Sequence, residues 1–146
     1  MLQRTYENQN CSIARTLELV GERWSLLIVR DVLLGVRRFD QFQASLGIAR
    51  NVLSTRLARL FDAGILERVR YQERPERFEY RLTEGGRELS VPLLALMHWG
   101  DRHLAPGGPP RIAEHTGCGG QVVEQLVCSE CGSTLAPGEV HTRRAS

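Results

Sequence analysis

The stretch Phe39-Asp40-Gln41-Phe42-Gln43-Ala44-Ser45-Leu46-Gly47-Ile48-Ala49-Arg50-Asn51-Val52-Leu53-Ser54-Thr55-Arg56-Leu57 decides the fold. Phe39, Phe42 and Leu46 recur at helical spacing in a segment from Arg38 to Leu46, and Gly47 ends it. Ile48 leads into a second run, Asn51 to Ala63, with Val52, Leu53, Leu57 and Leu60 on one face and Gly64 as its stop. Two helices joined by so short a turn make the tight joint of a helix-turn-helix.

Upstream, Ile13, Leu17 and Val20 give a helix over Cys11 to Val20, with Gly21 as its stop, and Trp24, Leu27, Ile28, Asp31 and Leu34 continue a helical period to Gly35. Trp24 and Leu27 are read as core. After Gly64 the period changes. Ile65-Leu66-Glu67-Arg68-Val69-Arg70-Tyr71 and Phe78-Glu79-Tyr80-Arg81-Leu82 alternate apolar with charged residues around a polar tip that contains Pro75. This is a hairpin. Thr83 then caps a helix running to about Leu104, with Leu89, Leu93, Leu96 and Trp99 apolar. Pro92 inside it predicts a bend or a restart. The order is that of a winged helix-turn-helix, an α+β fold that is mainly α.

The chain has 146 residues, enough for one compact domain and a small appendage. The domain is expected over residues 1–104, followed by the linker Ala105-Pro106-Gly107-Gly108-Pro109-Pro110 and a small module over 111–146. Its apolar runs are too short to span a bilayer. The opening Met1-Leu2-Gln3-Arg4-Thr5-Tyr6-Glu7 has no apolar core of a signal peptide, so a cytoplasmic location is expected. The four cysteines are accordingly read as metal ligands or reactive thiols rather than as a disulfide framework. The net charge of +2 is uninformative, but all 19 basic residues are arginine, which suits phosphate and guanine contacts as well as a GC-rich genome.

With Leu53, Leu57 and Leu60 inward, Arg50, Asn51, Ser54, Thr55, Arg56 and Arg59 lie outward or on the flanks of their helix. Arginine reads guanine and asparagine reads adenine in the major groove, while Ser54 and Thr55 can bond bases or phosphates. Arg74 and Arg77 at the hairpin tip are candidate phosphate or minor-groove contacts, and Arg37 and Arg38 candidate phosphate contacts. An ordinary solvated, mixed-charge surface is the bland alternative for each of them.

Cys11-Ser12-Ile13-Ala14-Arg15-Thr16-Leu17, Gly21-Glu22-Arg23-Trp24-Ser25-Leu26-Leu27-Ile28-Val29-Arg30-Asp31 and Gly35-Val36-Arg37-Arg38-Phe39 resemble the HxlR-type, MarR-like winged-helix transcriptional regulators. So do Val52-Leu53-Ser54-Thr55-Arg56-Leu57, Gly64-Ile65-Leu66, Glu79-Tyr80-Arg81-Leu82-Thr83 and Trp99-Gly100. The resemblance runs in order from residue 10 to about 104. It implies a recognition helix at about 49–63, a wing at 66–82, a homodimer formed by the terminal helices, and regulation of genes from pseudo-palindromic sites on double-stranded DNA. Leu89, Leu93, Leu96 and Met97 are the dimerisation candidates; filling the monomer core is the alternative. Ala49 departs from the family, where a capping residue is more usual, and Gly85-Gly86 is an unusual pair at a helix start.

In that family a cysteine at the position of Cys11 often senses oxidants or electrophiles. A helix N-terminus near Arg15 suits a reactive thiol, but a lone cysteine is as often a buried small hydrophobe. A small apolar ligand held by Trp24, Phe39 and Trp99 is another possible signal; core is the commoner role of such residues.

The tail carries His115-x2-Cys118-Gly119 and Cys128-x2-Cys131-Gly132, joined by nine residues that can form a hairpin. One imidazole and three thiols at this paired spacing suit a closed, structural zinc site of ribbon type. His141 is a weaker alternative ligand; redox thiols are the competing reading. His98 and His103 receive no role. An enzyme is not expected, because a zinc hydrolase needs an open metal position and a general base. The competing non-catalytic reading is a zinc-ribbon adaptor that binds protein without specific DNA binding.

Overall fold

The computed structural model describes Tyr6 and residues 8–145; most of the opening stretch on which the expected location rests lies outside them. The chain divides into two compact units, Met1–Leu93 and Leu94–Ser146. The division falls inside a helix, before the composition change at residues 105–110.

The first unit contains α1 (Ser12–Val20), α2 (Ser25–Leu33), α3 (Phe39–Leu46), α4 (Arg50–Asp62), the hairpin strands β1 (Leu66–Glu73) and β2 (Glu76–Leu82), and the short α5 (Glu84–Arg87). Each helix follows the apolar period that predicts it. Val20, Ile28, Val29, Val32, Phe42, Ile48, Leu53, Leu57 and Leu60 meet Ile65, Leu66 and Leu82 from the hairpin base in one core. Trp24, Phe39, Leu89 and Leu93 pack half-buried against it, and Leu27 is half-buried. Gly47 ends α3 in the left-handed region (φ 62°), which turns the chain sharply into α4.

Only the base of the hairpin is buried; most of the strand residues beyond Leu66 and Leu82 are exposed or half-buried, so β1 and β2 project as a wing. Their antiparallel register shifts between Arg70 and Gln72, leaving Tyr71 as the extra residue of a bulge. The chain just before α3 also joins this sheet. Arg38 bridges Glu79, and the Tyr80 amide donates to the Arg37 carbonyl at 2.7 Å. This third strand is a single bridge long, too short for any alternation to announce it.

Thr83 closes the unit. Its hydroxyl donates to the Gly64 carbonyl at 2.6 Å and accepts from the Gly86 amide at 3.0 Å, capping α5. A Cβ on Gly86 would lie 2.2 Å from the Ile65 carbonyl oxygen, so the close approach of α5 to the hairpin base requires glycine there. Gly85 meets no such restriction. The long helix expected from Thr83 to Leu104 is therefore two: α5 and α6 (Ser90–Leu104). Pro92 lies in the first turn of α6, where an amide has no intrahelical partner, in line with the helix restart that its position predicts.

The second unit holds the rest of α6, the two-residue strands β3 (Leu126–Val127) and β4 (Thr134–Leu135), and a 3₁₀ turn at Pro137–Glu139. None of its described residues is fully buried. His98 on α6 and Glu124 share a side-chain hydrogen bond within it. Among the described residues no helix is long and apolar enough to cross a membrane.

Candidate nucleic-acid interface

The N-terminal half of α4 and the wing enclose a groove of about 470 Å³ in the first unit. Arg50 and Ser54 stand on one wall, one helical turn apart, and Tyr71, Arg77 and Phe78 on the other. Phe39 and Tyr80 lie between them. The Arg50 guanidinium rests 4.8 Å over the Phe39 ring, and Asp40 and Glu76 line the same groove without pairing with it. Arg50, Arg74 and Arg77 form no ion pair among the described residues. Asn51, Ser54 and Thr55 are exposed on α4, and the Thr55 hydroxyl donates to the Asn51 carbonyl at 3.0 Å.

Ala49 caps α4 with no side-chain hydrogen bond, and the first turn holds no acid. The leading amides and the positive end of the helix dipole are left for an anion. The sequence departure at Ala49 thus leaves α4 uncapped by a side chain at the end that borders the groove.

The remaining arginines expected at a DNA surface are engaged within the chain. Arg37 donates to the Val32 and Val36 carbonyls at 2.6 and 3.0 Å, tying the α2–α3 connection together. Arg38 pairs with Glu79 at 3.3 Å and stacks 4.1 Å over Tyr71, the bulge residue, so it braces the wing. Periodicity groups Arg56 and Arg59 with the outward residues, but both are turned onto the carboxylate of Glu22 in the α1–α2 connection. The pairing of Glu22 and Glu79 is not visible in the sequence because each acts on arginines far along the chain.

Cys11 is exposed and is the N-cap of α1, and its carbonyl accepts from the Arg15 amide at 3.0 Å. The Arg15 guanidinium bonds Asn10 Oδ1 at 2.9 Å rather than the thiol.

In the tail the four expected ligands stand as two pairs. His115 Nδ1 is 3.3 Å from Cys118 Sγ, and the Gly120 amide donates to that sulfur at 3.4 Å. Cys131 Sγ lies 3.2 Å from Ser133 Oγ. Hydrogen bonds from the Ser133 side chain and backbone, then from Cys128, lower the Cys131 thiol to about 7. Gly119 and Gly132, each directly after the second ligand of its pair, share φ 72°, so the two knuckles turn alike. Among the described residues no three histidine, cysteine or acidic side chains form a group that could hold a metal ion. The donor chemistry suits zinc, while the pairs stand apart.

The sequence profile described as HxlR-like helix-turn-helix matches residues 19–107. The HTH-type transcriptional regulator Rv3095 of Mycobacterium tuberculosis is 48% identical over 130 residues, 88% of this chain and 82% of that protein. The structure of PA1607, described as a candidate transcription factor, matches with a TM-score of 0.84 at 36% identity, over 96% of this chain and 99% of that one. The redox regulator HypR in its reduced form matches with a TM-score of 0.61 at 29% identity, over 64% of this chain and 95% of that one. The chain belongs to the HxlR-like helix-turn-helix family of transcriptional regulators.

Proposed function

We propose that the protein regulates transcription as a homodimer on a pseudo-palindromic operator, with α4 in the major groove and the wing on the adjacent backbone. The observation that carries this is the groove in which Arg50, Ser54 and Arg77 face one another beside the uncapped end of α4. Asn51, Ser54 and Thr55 are exposed to base edges there, and the leading amides of α4 suit a phosphate. Arg74 and Arg77 at the tip reach the backbone or the minor groove. Binding to a duplex of the neighbouring promoter, measured by fluorescence anisotropy over a salt series, tests this. Arg77→Ala is expected to weaken binding and to lower the salt slope by about 1 per protomer. Full retention of affinity and slope removes the wing from the interface.

The exposed apolar residues Val91, Leu96, Trp99 and Leu104 on α6, and separately Ile13, Leu17 and Leu19 on α1, support the dimer. Leu89 and Leu93 pack on the monomer core, so Leu96 is the better interface residue of the expected set. Leu96→Glu is expected to give a monomer in sedimentation.

The signal we favour is thiol oxidation at Cys11, supported by its exposure and by the likeness to the redox regulator HypR. Oxidant should release wild-type protein from DNA and leave Cys11→Ser bound; equal release overturns it. For the tail we infer structural zinc held by His115, Cys118, Cys128 and Cys131. The ion supplies the cohesion that a unit with no fully buried described residue otherwise lacks. One zinc per chain with a single reactive thiol supports this. No zinc and several reactive thiols overturn it.

A further inference from the structure

Arg56 and Arg59 belong to the recognition helix and face away from the groove that α4 shares with the wing. Arg56 lies roughly 200° around the helix from Ser54 at 3.6 residues per turn. Both guanidinium groups converge on one carboxylate. Glu22 Oε1 accepts from Arg59 Nη1, and Glu22 Oε2 pairs with Arg56 Nη2. Arg59 Nη2 also donates to the Glu18 carbonyl at 3.4 Å, at the end of α1.

Two features set this cluster apart from a surface ion pair. Arg56 and Glu22 are partly withdrawn from water, at 22% and 35% exposed, while Arg59 stands at the rim, 45% exposed. Charge attraction there is screened less than at an open surface. The cluster is also incompletely satisfied: Glu22 Oε2 and Arg56 Nε are buried without a hydrogen bond of good geometry. It is held by charge more than by fit. A bidentate phosphate could satisfy either arginine, but only after that arginine leaves Glu22.

We propose that Glu22 sets the DNA selectivity of this protein by withholding Arg56 and Arg59 from the phosphate backbone. Backbone contacts carry no sequence information and supply nearly all non-specific affinity. An arginine already paired within the protein gains little by exchanging a carboxylate for a phosphate. With both held, Arg50 is the one arginine of α4 without an acidic partner among the described residues. Binding then depends on the groove residues, which meet base edges, rather than on the total charge of the helix. This inference rests on the DNA-binding reading above.

The test is Glu22→Gln in the full-length protein, which keeps the side-chain volume and removes the charge. Affinity for operator and for a random duplex is measured by anisotropy between about 50 and 200 mM salt, beside thermal unfolding. Two released arginines should steepen the salt dependence by about 1 to 2 per protomer, at 0.9 per phosphate. Affinity for the random duplex should rise roughly tenfold, so the operator-to-random ratio falls. Adding Arg56→Ala and Arg59→Ala to Glu22→Gln should restore the wild-type slope. An unchanged or shallower slope in folded Glu22→Gln overturns the proposal and leaves the cluster a packing brace. Should Glu22→Gln not fold, Arg59→Ala alone decides. The proposal requires a wild-type slope; a fall of about 1 shows Arg59 on phosphate in the native protein and overturns it. Wild-type protein that binds no duplex overturns the DNA-binding reading itself, an outcome distinct from both.

Discussion

In the Met1–Leu93 unit, Ile28, Phe42, Leu53, Leu57 and Leu60 are at most 1% exposed, whereas no described residue of the Leu94–Ser146 unit is fully buried. The first unit is held by an apolar core that its sequence announces through helical and strand periods. The second has two-residue strands, two matching knuckles and a hydrogen bond between His98 and Glu124. Its main sequence signal is the spacing of the His115/Cys118 and Cys128/Cys131 pairs. The contrast teaches that one chain can carry two kinds of stability, and that perturbations should separate them.

The largest separation is expected from the core. Leu57→Ala should cost the first unit about 2–5 kcal/mol in urea unfolding, through lost burial and the cavity it leaves. Leu126→Ala, at a residue 51% exposed, should leave that transition where it was. Comparable losses from both would show a single cooperative structure and end the contrast.

A strong chelator is the next probe. If zinc holds the tail, chelation should broaden or shift amide resonances of residues 111–146 while the core resonances of residues 20–82 stay in place. A chelator without effect on either set would leave the tail stabilised by something other than metal.

Smaller effects come from protons. In metal-free protein the Cys131 thiol, lowered to about 7 chiefly by Ser133, should alkylate with a midpoint near that pH, and Ser133→Ala should move the midpoint upward. Site-resolved mass spectrometry reads this; a midpoint unmoved by Ser133→Ala would remove the hydrogen bond as its cause. The smallest expected effect is at Glu124, whose carboxyl lies below its ordinary value chiefly through the hydrogen bond with His98. A depressed carboxylate stabilises the folded form above its ordinary value and loses that contribution as pH falls through the depressed one. Glu124→Gln should therefore flatten the acid limb of the tail's resonance shifts and leave those of the first unit unchanged.

The sequence made the first unit legible because each core residue obeys a local period: Phe42 with Leu46 on α3, Leu53 with Leu57 and Leu60 on α4. Thr83 was legible as a cap for the same local reason. The third strand at Arg38 was not, because a single bridge has no period. The restart near Pro92 was legible, since α6 begins at Ser90; the close approach of Gly86 to the Ile65 carbonyl just before it was not. At the candidate DNA surface, Arg50, Arg74 and Arg77 stand as a helix face and a hairpin tip imply. The engagement of Arg59 by Glu22 spans 37 positions, and that of Arg38 by Glu79 spans 41. Periodicity places a side chain on a face but does not reveal which distant carboxylate meets it there.

The central claim is that the groove between α4 and the wing reads DNA. Its most direct test is anisotropy of the full-length protein on its neighbouring promoter and on a scrambled duplex, wild type beside Arg50→Ala, over a salt series. The account predicts tighter, salt-dependent binding of the promoter, with most of that preference lost in Arg50→Ala while thermal unfolding is unchanged. Equal affinity of wild type for promoter and scrambled duplex, or full preference retained in Arg50→Ala, would contradict it.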